Sequence, residues 1–78
     1  MKEIEFLTFI IENLVDHKED VKIERTEDEL WILLTLSVNK EDMWAIIWKG
    51  GSTINSIRSV LRLFGMKMQK RLNLKVLD

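Results

Sequence analysis

No cysteine occurs in the 78-residue chain. That removes disulfides, thiolate nucleophiles and cysteine-ligated zinc together. Histidine is nearly absent as well: His17 has no second imidazole with which to share a metal ion or a proton relay. No nucleophile is paired with a base, and no carboxylate stands at the glycine turn, so neither an enzyme nor a cofactor or metal centre is expected. Proline is missing too, and there is no low-complexity tract or internal repeat, so residues 1–78 read as one small domain without a linker. No apolar run approaches the ~20 residues of a membrane span, and Met1 leads into a helical pattern without a basic-plus-apolar leader. The expectation is a cytoplasmic protein. A domain this short buries only roughly 60–65% of its unfolded surface, so association with a second chain would add useful stability.

One sign of charge is almost missing from each half. Residues 1–42 carry five basic side chains against twelve acidic ones, and residues 43–78 carry seven basic ones against Asp78 alone. The formal net charge of −1 therefore conceals halves of −7 and +6. A polyanion would respond to the local basic field rather than to the sum. Alternatively, the two halves attract one another within the fold or across a dimer.

Residues 3–15 place Ile4, Leu7, Ile11 and Leu14 on one helical stripe, widened by Phe6, Phe9 and Ile10. Glu3 and Glu5 suit the start of that helix, and His17-Lys18 its end. Residues 20–26 alternate like a half-buried strand, residues 27–29 form a charged turn, and residues 30–38 form a second strand. That second strand turns Leu30, Ile32, Leu34, Leu36 and Val38 inward and Trp31 and Leu33 outward. Asn39 with Asp42 reads as a variant capping box opening a helix to about Trp48. Gly50-Gly51 breaks that helix, and Ser52 or Thr53 caps a longer one to about Lys70, with Ile54, Ile57, Val60, Leu61 and Phe64 at three-and-four spacing. Gly65 inside it costs ~1 kcal/mol relative to Ala unless close packing requires it. Leu72, Leu74 and Val76 then alternate as a closing strand. The order α-β-β-α-α-β fits a two-layer α+β sandwich.

That order, with a glycine turn between its fourth and fifth elements, resembles a type II KH domain, a three-stranded sheet with helices packed on one face. The KH loop, GXXG, clamps the backbone of about four nucleotides of single-stranded nucleic acid. Asn13-Leu14-Val15-Asp16-His17 is similar to the corresponding segment of the small bacterial single-KH RNA-binding proteins (the KhpA/YlqC family). Asn39 to Asp42, Ile46-Ile47, and Thr53 through Leu61 with its Ile57-Arg58 pair are similar as well, over nearly the whole chain. The resemblance implies a cytoplasmic protein that binds single-stranded RNA with little sequence preference. It also implies a homodimer or a pairing with a larger KH-domain partner. Where the family has Gly-Lys-x-Gly followed by a basic residue and Thr, this chain has Trp48-Lys49-Gly50-Gly51 followed by Ser52 and Thr53.

The candidate RNA-binding residues are therefore Lys49, Gly50, Gly51, Ser52 and Thr53, with Arg58 and Arg62 spaced i, i+4 on the following helix. Lysine offers a point charge, and glycine allows close backbone approach to phosphate. The plain alternative is a helix-turn-helix corner with solvated cations. Trp44 and Trp48 fall i, i+4 in the preceding segment and admit three readings: core filling, a base-stacking platform, or an anchor for a protein partner. Trp48 at the first loop glycine hinders phosphate approach, which keeps open a KH fold used for protein interaction instead. Trp31 and Leu33, with Leu77, form a second apolar patch suited to a partner.

Overall fold

The apolar stripe at helical spacing makes Lys2–Glu12 the first helix, α1, of a computed structural model that describes residues 2–48 and 52–77. Leu7 and Ile11 are fully buried, with Ile4, Phe6 and Ile10 packed against them. The helix stops three residues earlier than its periodicity predicts. The Asn13 side-chain amide donates to the Phe9 carbonyl at 2.7 Å, and the backbone tightens, with Leu14 N–H donating to Ile11 at 3.0 Å. This change of phase puts Val15 into the core and leaves Leu14 exposed, while Phe9, two residues from both Leu7 and Ile11 within α1, falls on the outer helix face; both were expected on the buried stripe. His17 then lies five residues beyond the helix, so a helix-end role does not apply to it.

After a 3-10 turn at Lys18–Asp20 come β1 (Lys22–Glu27) and β2 (Trp31–Ser37), an antiparallel hairpin. Glu27, expected in the turn, completes β1 opposite Ile32. The turn is Asp28 to Leu30, and the Asp28 carboxylate organises it by accepting the N–H groups of Leu30 at 2.9 Å and Trp31 at 2.7 Å. Those bonds, Trp31's first, hold its pKa below the ordinary aspartate value. Leu30, expected inward, therefore sits exposed in the turn. The last strand, β3 (Arg71–Val76), runs parallel to β2, giving the order β1-β2-β3. Register places Ile32, Leu34, Leu36, Leu72, Leu74 and Val76 on the face that the helices cover. The opposite face carries Trp31, Leu33 and Thr35 beside Arg71, Asn73 and Lys75.

The segment expected as one helix from Asn39 to Trp48 is a 3-10 turn at Lys40–Asp42 followed by a π-helical turn at Trp44–Trp48. Asn39 does cap it, accepting the Glu41 N–H at 2.8 Å. Asp42 does not complete the box. Its buried carboxylate is committed to the loop after α1, accepting the N–H groups of Asp16 at 2.9 Å and His17 at 3.0 Å. Met43 and Ile46 enter the core, with Ile47 half-buried.

The long helix α2 (Ser52–Met68) buries Ile54, Ile57 and Leu61 and sets Phe64 against Phe6, ring centroids 5.4 Å apart. It ends at Met68 rather than near Lys70, because Gln69 adopts a left-handed φ of 59°. Gln69 N–H donates to Met66 at 3.1 Å and Lys70 N–H to Gly65 at 2.9 Å, the two bonds of a Schellman corner. Gly65 is where α2 meets β3: a Cβ there would lie 2.7 Å from the Lys70 carbonyl and 2.9 Å from the Leu72 Cβ. At the far edge of the sheet, Arg25 bonds Glu3 at 2.5 Å and Glu27 at 2.7 Å. Lys70 joins Glu27, the one ion pair among the described residues that links the basic second half to the acidic first half. Among the described residues, ion pairing between the halves thus engages a single cation.

Candidate nucleic-acid interface

The side of the fold between α2 and β3 combines cations with unpaired backbone. Arg71 N–H donates to Leu30 at 2.8 Å and Leu77 N–H to Leu36 at 2.9 Å. In a parallel ladder this alternation turns the polar groups of Arg71, Asn73 and Lys75 toward β2 and those of Leu72, Leu74 and Val76 toward the open edge. Arg58 reaches across from α2, its Nε and Nη2 lying 3.4 and 3.3 Å from the Leu74 carbonyl. A guanidinium has five N–H donors, so most of this one stays available. Arg58, Leu61, Arg62, Leu72, Asn73 and Leu74 line the narrow cleft so formed. Arg62 is exposed, one turn along.

Ser52, exposed, and Thr53, half-buried, begin α2, whose first-turn amides and positive dipole end face an incoming anion. Lys49, Gly50, Gly51 and the side chain of Trp48 lie outside the described residues. Among the described residues, neither Arg58 nor Arg62 lies within ion-pair distance of a carboxylate. The structure therefore brings together Ser52, Thr53, Arg58 and Arg62 along one helix, and adds the edge of β3. Leu72, Asn73 and Leu74 were legible as a strand but not as a groove wall. Their alternation gives no sign of which edge stays open.

Trp44 is 59% exposed, which overturns the core reading for that side chain. Trp31 stands apart from the cleft, on the open sheet face, with the Arg71 guanidinium 5.4 Å from its ring centroid. His17 belongs to the scaffold around the 3-10 turn at Lys40–Asp42. Its Nδ1 lies 3.1 Å from Asp42 and its Nε2 3.5 Å from Glu41. The Asp42 bond raises the imidazole pKa against a smaller opposing effect of desolvation. Bonding from Asp16 N–H, helped by His17, lowers that of Asp42.

Three strands with helices on one face, and a basic helix beginning just after Gly50-Gly51 in the sequence and beside an open strand edge, define a KH domain. The sequence model of the family described as "KhpA/KhpB, KH domain" matches residues 4–76, and the chain belongs to that family. The RNA-binding protein KhpA of Chlamydia pneumoniae is 39% identical over 74 residues, covering 95% of each chain. Its namesake from Listeria monocytogenes is 36% identical, over 95% of this chain and 97% of its own. That from Bacillus subtilis is 32% identical, over 95% and 91%. No solved structure matches the chain. Among the described residues, no helix is long and apolar enough to cross a membrane.

Proposed function

We propose that this protein binds single-stranded RNA in the cytoplasm with little sequence preference, through the Trp48-Lys49-Gly50-Gly51 turn and the α2–β3 cleft. The cleft carries the reading: Arg58 and Arg62 line it without carboxylate partners among the described residues, and the relatives are named RNA-binding proteins. Lys49 and the start of α2 take a phosphate, the two arginines take the next, and bases lie toward the edge of β3. Engaging two or three phosphates makes log K fall with log salt at a slope of roughly −1.4 to −2.1. Fluorescence anisotropy of a labelled single-stranded RNA at several salt concentrations measures this. Lys49→Asp should weaken binding at least tenfold. Unchanged affinity in that variant, or binding insensitive to salt, refutes the clamp.

The protein acts as a homodimer or with a larger KH-domain partner. A second reading, a fold used for protein association in place of RNA, is favoured by the exposure of Trp44, since exposed tryptophan is enriched at binding hot spots. On that reading the wild type does not bind RNA, and Trp44→Ala lowers the self-association seen by sedimentation. An unaltered sedimentation profile removes the anchor.

A further inference from the structure

The outward sheet face has cations, an aromatic ring and, among the described residues, no covering element, and nothing in the cleft reading uses it. Lys22, Glu24 and Thr26 on β1, Trp31, Leu33 and Thr35 on β2, and Arg71, Asn73 and Lys75 on β3 share this face by register. Three of these side chains are basic and one is acidic. Trp31 and Leu33 are 40% and 37% exposed; single exposed apolar side chains are ordinary, and what marks these two is that they lie together on the face that carries Arg71 and Lys75. Arg71 sits opposite Trp31 in the parallel register and over its ring, a cation–π contact that holds the guanidinium beside a flat apolar surface.

We propose that this face is a second platform for single-stranded RNA, which leaves the α2–β3 cleft, rounds the start of β3 and stacks a base on Trp31 with its phosphate on Arg71. The inference rests on the cleft reading for the direction of the strand. The two surfaces are continuous. A groove of about 380 Å³ is lined by Trp31, Arg62, Met66, Lys70, Arg71 and Asn73, together with Leu72, and Arg62, Leu72 and Asn73 also line the cleft. Sheet-borne aromatics that stack unpaired bases are a general solution to single-strand recognition, and stacking tolerates any base. The acidic groups near Trp31 do not close the path. Glu27 is engaged by Arg25 and Lys70, and Asp28 by two backbone N–H groups of its own turn. Glu29, exposed in the turn, is the one that opposes an anion there. A peptide partner would exploit Leu30 and Leu33 but would leave Arg62, Arg71 and Lys75 without counter-charges.

The test compares a uridine tetranucleotide, the length the loop clamps, with a dodecanucleotide, by anisotropy, in the wild type, Trp31→Leu, Arg71→Gln and Lys49→Asp. Trp31→Leu keeps an apolar strand residue, and circular dichroism checks that each variant folds. Trp31→Leu and Arg71→Gln should each weaken the dodecanucleotide about fivefold or more and leave the tetranucleotide unchanged. Equal losses for both lengths, or none, overturn the platform. If Lys49→Asp abolishes tetranucleotide binding while Trp31→Leu does nothing, the cleft stands and the platform falls. If Lys49→Asp is silent while Trp31→Leu weakens the dodecanucleotide, the platform stands and the clamp falls. A change in sedimentation of Trp31→Leu without any change in RNA affinity assigns the face to a protein partner and overturns the proposal.

Discussion

Gly65→Ala sets two effects of opposite sign against each other. By helix propensity alone, replacing an interior glycine with alanine should stabilise α2 by ~1 kcal/mol. The packing says otherwise. The new methyl would stand 2.7 Å from the Lys70 carbonyl oxygen, 2.9 Å from the Leu72 Cβ and 3.2 Å from the Leu72 N, against an optimum of about 3.5–4.0 Å between carbons. Two of these three neighbours are backbone and the third is a Cβ, so no side-chain rotation relieves them. Lys70 is fixed by its own N–H bond to the Gly65 carbonyl at 2.9 Å, so the methyl collides with the corner that glycine closes. Either α2 lifts from β3 or the corner opens, costing about 1–3 kcal/mol of overpacking and a hydrogen bond of about 1 kcal/mol. After the propensity gain, the net destabilisation is about 1–3 kcal/mol. For a domain of this size each kcal/mol moves Tm by roughly 4–8 °C, so thermal denaturation followed by circular dichroism should show a fall of about 5–20 °C. A Tm equal to or above wild type would show that propensity wins and that the α2–β3 contact is looser than described. Because Leu72 is also a wall of the cleft, RNA affinity should fall with it.

At the neighbouring position the sign reverses. Gln69 holds a left-handed φ of 59°, which glycine adopts without steric cost, so Gln69→Gly should gain roughly 1 kcal/mol, read as a higher urea midpoint at unchanged slope. The His17–Asp42 contact gives stability two separate pH limits. His17 has a raised folded pKa, so its contribution is complete below the unfolded value near 6.5 and is lost as pH rises through the folded value. Asp42 has a lowered one, so its contribution is complete above the unfolded value near 3.9 and is lost as pH falls through the folded value. In urea melts, the gap between wild type and His17→Gln should be widest in mildly acidic buffer and narrow as the pH is raised. A gap constant across that range removes the ion pair from the account.

The strands and α2 were legible because each buries one face at a fixed period. Ile32, Leu34 and Leu36 alternate inward, and Ile54, Ile57 and Leu61 recur at three-and-four spacing. Errors fell where a side chain bonds to backbone, near or far. Asp42 looks like half of a capping box in a linear reading, and only the fold shows it spent on Asp16 and His17, 26 and 25 residues away. Asn13 ended α1 in the same manner by taking the Phe9 carbonyl, and that slip of phase exchanged Leu14 for Val15 in the core. Gly65 carried the opposite lesson, since its propensity cost was visible and its cause was a neighbour that the sequence does not place.

The candidate site divides along the same line. Arg58 and Arg62 could be put on one helix face by counting, whereas the surface they face could not, because whether β3 stays an edge depends on strand order. Parallel pairing of β3 with one edge of β2, whose other edge is taken antiparallel by β1, is what exposes the Leu72 and Leu74 backbone to α2. It also puts Trp31 and Arg71 side by side on the open face. One topological choice thus creates both the cleft and the platform. If RNA crosses both surfaces, Asn73 and Arg62, which border each, are where its path must turn.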